Sequence, residues 1–460
     1  MGYFCFLLFA YQSRLNLNQS EEPIAEVSPM RRVMGNFWLL IRGRGAAAAM
    51  AFGATALMAR SLGPSEYGLV VLMHTYAMLV RALFDIGSVE AIVQYGVPAH
   101  QSGDHNTLGR LIKVCRRIDR QTSLAATVLA LCIAPIAGPL MGMDQEHVIL
   151  LAGYSLVLIT TGVGSSIGIL RLYDRFDLIG QQLAIAPTIR FLGVFVAWWS
   201  EAPIQVFVSI WGGAYVAENL FVFWHAKRQY KTQVKAGFSG DGITGAALSD
   251  FVGLRKFLWV TYWQSNLDVL PKHITTVLVG HLLGPAEAGL LRLAREISST
   301  LAKPAILIRQ VVFLDLTRTW HLGSDDFAVI ANRTALLGGA AGMLFVVTSF
   351  FGGEYLLAAL LGQEFIGAAP VLTLMFLAAT LDLVASPLRS ALYAIGKATK
   401  VLRLYIASTV LYLIFFTLLT SEWHLIGAGV AASIAAALPS IGMYFLMRQS
   451  RHALKANEKK

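Results

Sequence analysis

Apolar runs of about 20 residues, each long enough to cross a bilayer core as one helix, recur from residue 36 to near the C-terminus with short polar turns between them. A chain built this way is a polytopic helical bundle. Composition agrees: 56% of the residues are apolar and 14% charged, with a mean hydropathy of +0.60, whereas soluble domains carry roughly a quarter charged residues. That balance excludes a cytosolic enzyme.

Hydropathy and helix breakers predict an all-α protein of twelve spans, near residues 36–61, 66–95, 121–142, 147–170, 177–199, 204–226, 254–282, 286–312, 332–352, 367–394, 400–420 and 425–447. Alternate connections separate cleanly by charge. One set holds Arg110, Lys113, Arg116, Arg117, Arg120, Lys227, Arg228, Lys397, Lys400 and the basic tail; the other holds Glu66, Asp144, Glu146, Glu201, Glu287, Glu354 and Glu422 and no Lys or Arg. Because Lys and Arg accumulate in short cytoplasmic loops, both termini are expected in the cytoplasm. The net charge of +10 is then a topology signal, and no nucleic-acid partner is expected.

Cys5, Cys115 and Cys132 form neither a disulfide framework nor a metal-ligand spacing, and no cofactor or metal is expected. Met1 to Tyr11 is apolar but short, with no basic lead and no cleavage site. It is expected to be a disordered extension or an over-long start, with an interfacial stretch as the alternative.

The chain repeats itself. Leu62-Gly63-Pro64-Ser65-Glu66-Tyr67-Gly68-Leu69 returns 221 residues later as Leu283-Gly284-Pro285-Ala286-Glu287-Ala288-Gly289-Leu290, with six of eight positions identical. Leu140-Met141-Gly142 returns as Leu360-Leu361-Gly362, and Leu172-Tyr173 as Leu392-Tyr393, each shifted by 220. Six spans per half give a parallel repeat, the arrangement that places a substrate path between two lobes. The expected organisation is an N-terminal extension (1–35), an N-lobe (36–226), a cytoplasmic linker (227–253), a C-lobe (254–447) and a basic tail (448–460).

Ionisable residues inside spans each cost about 2.5 to 3.5 kcal/mol at a helix centre on insertion scales, so they must face the bundle or water. Arg81 with Asp85, Asp268 with Lys272, and Arg292 with Glu296 stand four apart and can pair along one helix face. Arg295 lacks an acid one turn away, and Arg42 and Arg44 have none in their helix. About 200° separates these last two around a helix, so only one can share a given cavity; Arg42 lies on the small-residue face with Gly45, Ala49 and Gly53, and snorkelling suits either. Arg190 and Asp382 also lie mid-span, Asp268 and Asp382 being candidates for ion coupling. Pro187, Pro271 and Pro387 are expected to interrupt or bend their helices. Gly164 to Gly168 spells a nucleophile elbow by letters only, inside a predicted span with no preceding strand, and His273 reads as a packed histidine more readily than a proton relay.

The Leu-Gly-Pro-x-x-Tyr-Gly turn at Leu62 to Gly68, the seventh helix with its mid-span Asp268 leading into Leu283 to Gly289, and the stretch Leu360 to Leu372 entering the tenth helix resemble a known family. They are similar to oligosaccharide flippases of the polysaccharide transport type, within the multidrug, oligosaccharidyl-lipid and polysaccharide exporter (MOP) superfamily. The resemblance covers nearly the whole chain after residue 35, although Ala288 replaces the usual Tyr in the second turn. It implies a V-shaped exporter fold in the bacterial inner membrane, working by alternating access on a lipid-diphosphate-linked oligosaccharide. The implied turn residues are Gly63, Pro64, Tyr67, Gly68, Gly284, Pro285 and Gly289. The implied cavity arginines are Arg81, Arg295 and one of Arg42 and Arg44, to which the in-span reading adds Arg190 and Arg292. Expected partners are the polyprenyl diphosphate carrier with its glycan, membrane lipids, and a polysaccharide polymerase or glycosyltransferases, the protein itself acting as a monomer. Two alternatives stay open: a cation-coupled multidrug exporter of the same superfamily, which would favour acids in its cavity, and a membrane polymerase or ligase, which would offer a large outer loop.

Overall fold

A computed structural model describes residues 29–234, 247–299, 326–394 and 397–457, all helical or turn with no strand among them. The segment Met1 to Tyr11, the end of the eighth predicted span and part of the predicted linker lie outside the described residues, as do the side chains of Arg42, Arg44 and Asp268. Two compact units divide at Ala46, and the larger one, Ala47–Lys460, contains the cores and the site described below.

The helical elements are α1 (Pro29–Phe84), α2 (Ser88–Gln101), α3 (His105–Leu140), α4 (Gln145–Ser155), α5 (Gly164–Leu172), α6 (Phe176–Trp199), α7 (Ile204–Gln229), α8 (Leu254–Leu283), α9 (285–299), α10 (Asp326–Leu360), α11 (Ala369–Ala394) and α12 (Ala398–Asn457). Eight helices among the described residues are long and apolar enough to cross a membrane, and two of these, Gly45–Gln101 and Thr399–Gln449, run to 57 and 51 residues. Each is more than twice the length of one crossing and contains a non-helical point: Gly63 in α1, Trp423 and His424 in α12. Large side chains such as Trp199 (78% exposed), Phe351 (82%) and Leu336 (74%) stand on the outer faces, where a soluble protein would hide them and a lipid-facing belt does not need to. The chain is a multi-pass helical membrane protein.

The repeat is visible in the backbone. Gly63 (φ 71°, ψ 174°) and Gly284 (φ 98°, ψ 175°) adopt the same left-handed extended conformation, which only glycine enters at little cost. Pro64 and Pro285 follow at the first helical position, where a missing N–H loses nothing. Gly142 and Gly362, the second pair of repeat partners, also share positive φ.

Three cores form. At the Gly63–Gly284 end both repeats contribute to one cluster, with Tyr67, Leu72 and Met73 packed together with Val279, Leu291, Phe365 and Phe416. At the other end the cores are separate: Ile92, Leu108, Leu111 and Leu170 in the first repeat, joined by Leu254 and Leu258 from the start of α8, and Leu388, Leu392, Val401 and Met443 in the second. Just before α8, Asp250 pairs with Arg110 and accepts the Ala247 N–H at 3.0 Å. The backbone donor first, and then the guanidinium, hold its carboxyl below the usual carboxylate range.

Three expectations are corrected. The second predicted span is not continuous, since α1 ends at Phe84 and α2 starts at Ser88; Gly87 is left-handed, and Tyr262 donates to the freed Leu83 carbonyl at 3.1 Å. The fourth is likewise broken after a 3₁₀ run, Leu156–Thr161, so Gly164 to Gly168 opens a helix instead of lying inside one. Conversely, α6, α8 and α11 run unbroken through Pro187, Pro271 and Pro387. Thr188, Thr275 and Ser390, close to these prolines, donate side-chain hydrogen bonds back to the Ala184, Pro271 and Ser386 carbonyls of their own helices.

Candidate functional site: a basic cavity between the repeats

A partly open cavity lies against the shared core. The first repeat supplies Thr55, Tyr67 and His74 from α1, Arg190 from α6 and Trp211 from α7, while the second supplies Arg292 and Glu296 from α9. The Arg190 guanidinium stands 4.4 Å from the Trp211 ring centroid, and its Nε is buried with no hydrogen-bond partner among the described residues. Arg292 Nε and Glu296 Oε2 are 4.0 Å apart with the arginine 43% exposed, and Glu296 Oε1 accepts the Thr55 hydroxyl at 3.4 Å. His74 Nδ1 and the Tyr154 hydroxyl share a hydrogen bond of 2.8 Å. Two guanidinium groups against one carboxylate leave the lining with an excess of positive charge.

Arg81 sits beside this cavity, in an adjoining pocket with Asp85 and Asp119. It donates to the Tyr215 hydroxyl, and its ion pair with Asp85 spans 3.9 Å. Tyr215 also packs edge-on against His74, so it links the Arg81 pocket to the Arg190 cavity.

Arg295 points elsewhere. Its Nη1 donates to the Thr276 hydroxyl (2.9 Å) and the Lys272 carbonyl (3.2 Å), and its Nη2 to the hydroxyls of Thr275 (2.9 Å) and Tyr412 (3.0 Å). The four terminal N–H bonds are thereby used within the second repeat. The expected pairing of Lys272 with Asp268 lies outside the described residues. Of the turn residues, only Tyr67 reaches the cavity; Gly63, Pro64, Gly68, Gly284, Pro285 and Gly289 build the closed end.

What sequence reasoning missed is the uncharged lining, the grouping of the in-span Glu218 with it, and Asp119. Trp211, Tyr215 and Glu218 occur at i, i+4 and i+7 on α7, a polar-aromatic stripe in an apolar run that marks an inward face; Gln182 of α6 donates to Glu218 at 3.0 Å. Asp119, set among Arg116, Arg117 and Arg120, reads as loop charge yet is only 7% exposed. Its carboxylate accepts the Ser165 N–H at 2.6 Å and caps α5 from 46 residues away.

The comparisons agree with this architecture. A family model described as "Polysaccharide biosynthesis protein" matches residues 57–370. "Inner membrane protein YghQ" of Escherichia coli (strain K12) is 25% identical over 317 residues, 67% of this chain and 86% of that one. Among solved structures, "Lipid II flippase MurJ, inward closed conformation" aligns with a TM-score of 0.71 at 13% identity, covering 89% of this chain and 87% of its own. An inward-facing multidrug resistance MATE family transporter aligns at 0.64 and 16% identity, with 89% and 95% covered. At 0.53 and 15% identity, with 90% and 94% covered, comes a MOP superfamily transporter from Pyrococcus furiosus, described as having reverse polarity of its binding pocket. The chain belongs to the polysaccharide biosynthesis protein family and has the fold of the MOP superfamily of exporters.

Proposed function

We propose that the protein is a flippase that carries a lipid-diphosphate-linked oligosaccharide from the inner to the outer leaflet of a bacterial inner membrane by alternating access. The observation that carries this reading is the meeting of Arg190 and Arg292, one from each repeat, in a single cavity. A glycan cannot cross hydrocarbon unaided, because each hydroxyl left without a partner costs several kcal/mol. A polar cavity removes that barrier, and guanidinium forks match diphosphate oxygens in pairs while the lipid tail stays in the bilayer. Outward movement of two negative charges from an inside-negative cell would release about 2.3 kcal/mol per charge per 100 mV. The reading includes twelve spans in two lobes, both termini in the cytoplasm, a monomeric transporter, and glycosyltransferases and a polymerase as the enzymes that supply and consume its cargo.

A strain deleted for the gene is expected to accumulate lipid-diphosphate-linked oligosaccharide on the inner leaflet. Wild-type protein should clear it, whereas Arg190→Ala and Arg292→Ala, inserted at equal levels, should not. Lysine at position 190 should rescue poorly, since an ammonium neither forks nor stacks on Trp211 as a guanidinium does. Full clearance by both alanine variants would remove the site. The multidrug alternative shares the fold, but a cation would meet net positive charge here; drug resistance on overexpression with no lipid phenotype would favour it.

A further inference from the structure

Arg60 and His281 occupy the same register of the repeat, 221 residues apart, and make reciprocal contacts whose acceptors lie one residue apart in register. Arg60 Nη2 donates to the carbonyl of Ala359, at the end of α10. His281 Nδ1 donates to the carbonyl of Leu140, at the end of α3, at 2.7 Å. Leu140 and Leu360 are repeat partners, so each repeat sends a side chain from its first turn onto the equivalent helix terminus of the other. Helix C-termini expose unpaired carbonyls and partial negative charge, which is what a guanidinium or an imidazole N–H satisfies.

The turns beside these contacts also interlock across the repeats, through contacts that are not themselves duplicated. A Cβ on Gly63 would meet Glu364 Oε2 at 3.1 Å, and one on Gly142 would meet Pro285 Cδ at 3.2 Å. Tyr67 packs edge-on against Phe365 with 6.2 Å between ring centroids. Both Arg60 and His281 are exposed, so the contacts lie at the rim of the closed end and not in its core.

We propose that Arg60 and His281 form a two-point latch that holds the Gly63–Gly284 end shut, and that both points release together when the cavity opens to that face. The symmetry makes release concerted: separating the repeats about their shared axis strips Ala359 and Leu140 of their donors in one motion. This inference rests on the alternating-access reading, but its test needs no substrate.

In a background with Cys5, Cys115 and Cys132 replaced, Thr55→Cys reports access to the cavity, with Val71→Cys as a second reporter on the same lining. Glu66→Cys, in the exposed first turn, identifies the face of the closed end. Right-side-out and inverted vesicles are labelled with a membrane-impermeant maleimide. Arg60→Ala and His281→Ala are each expected to speed cavity labelling from the face that labels Glu66→Cys, by roughly three- to tenfold for the loss of one such hydrogen bond. The double variant should speed it further, and Arg60→Lys should restore the slow rate. Unchanged labelling in the double variant, or an equal rise from both faces, overturns the latch. A labelling shift in a protein that leaves lipid-linked oligosaccharide untouched would instead remove the flippase reading and keep the latch.

Discussion

Gly68 and Gly289, repeat partners 221 residues apart, meet backbone to backbone at the closed end: a Cβ on Gly289 would stand 3.1 Å from the Gly68 Cα, and one on Gly68 would overlap the Pro285 carbonyl oxygen at 1.8 Å. Two helices can approach this closely only where neither carries a side chain.

Gly68→Ala is therefore expected to be the more damaging of the two alanine substitutions. It collides with backbone, which cannot rotate away, whereas Gly289→Ala meets the Tyr67 ring edge and the Gly68 backbone at 3.0 to 3.2 Å. Overpacking of this kind costs about 1 to 3 kcal/mol or more. Thermal melting in detergent should place Gly68→Ala well below wild type and Gly289→Ala between them; equal melting of all three would show that the repeats do not rely on this contact.

Arg292 and Arg295 should separate by phenotype although they lie three residues apart. Removing Arg295 takes the shared donor from the Thr275, Thr276 and Tyr412 hydroxyls inside the second repeat, a loss of about 1.5 to 3 kcal/mol per bond to the charged group. Arg295→Ala should thus melt early and insert poorly. Arg292→Ala should melt near wild type and lose transport. Melting curves with a transport assay on the same preparations decide it, and a normally stable, inactive Arg295→Ala would return that residue to the substrate path.

Asp119→Ala removes the cap on α5 and leaves the Ser165 N–H unpaired in a buried position, a loss of about 0.5 to 2 kcal/mol of stability. Asp119→Asn keeps one acceptor oxygen and should fall between. Hydrogen exchange across 161–170 should rise in the order wild type, Asn, Ala; if exchange there is indifferent to both, the carboxylate is not what holds the helix start.

Much of the scaffold was legible because lipid imposes a simple code. Apolar length located the helices, and the Leu-Gly-Pro turns fell at Gly63 and Gly284, where positive φ was needed. The interruptions were not legible. Pro187, Pro271 and Pro387 look like breakers, yet their helices run on through them, while the real breaks at Gly87 and Gly162 have partners distant in the chain, Tyr262 and Asp119. Charge inside a span pointed to Arg190 and Arg292, which line the cavity, and to Arg81 in the neighbouring pocket. The partners of Arg295 were not legible for a general reason: neutral hydroxyls on other helices accept from a guanidinium, and nothing in the spacing of one helix reveals them.

The two ends of α8 belong to different bodies. Leu254 and Leu258 are rooted in the core of the first repeat, while Val279 lies in the core that both repeats share. A rod clamped at both ends has to flex if its anchors part, and Pro271, lacking the N–H that would stiffen its turn, stands between the clamps. Any parting of the repeats at the split end is accordingly taken up along this one rod, with its weakest section beside Lys272, whose carbonyl Arg295 holds.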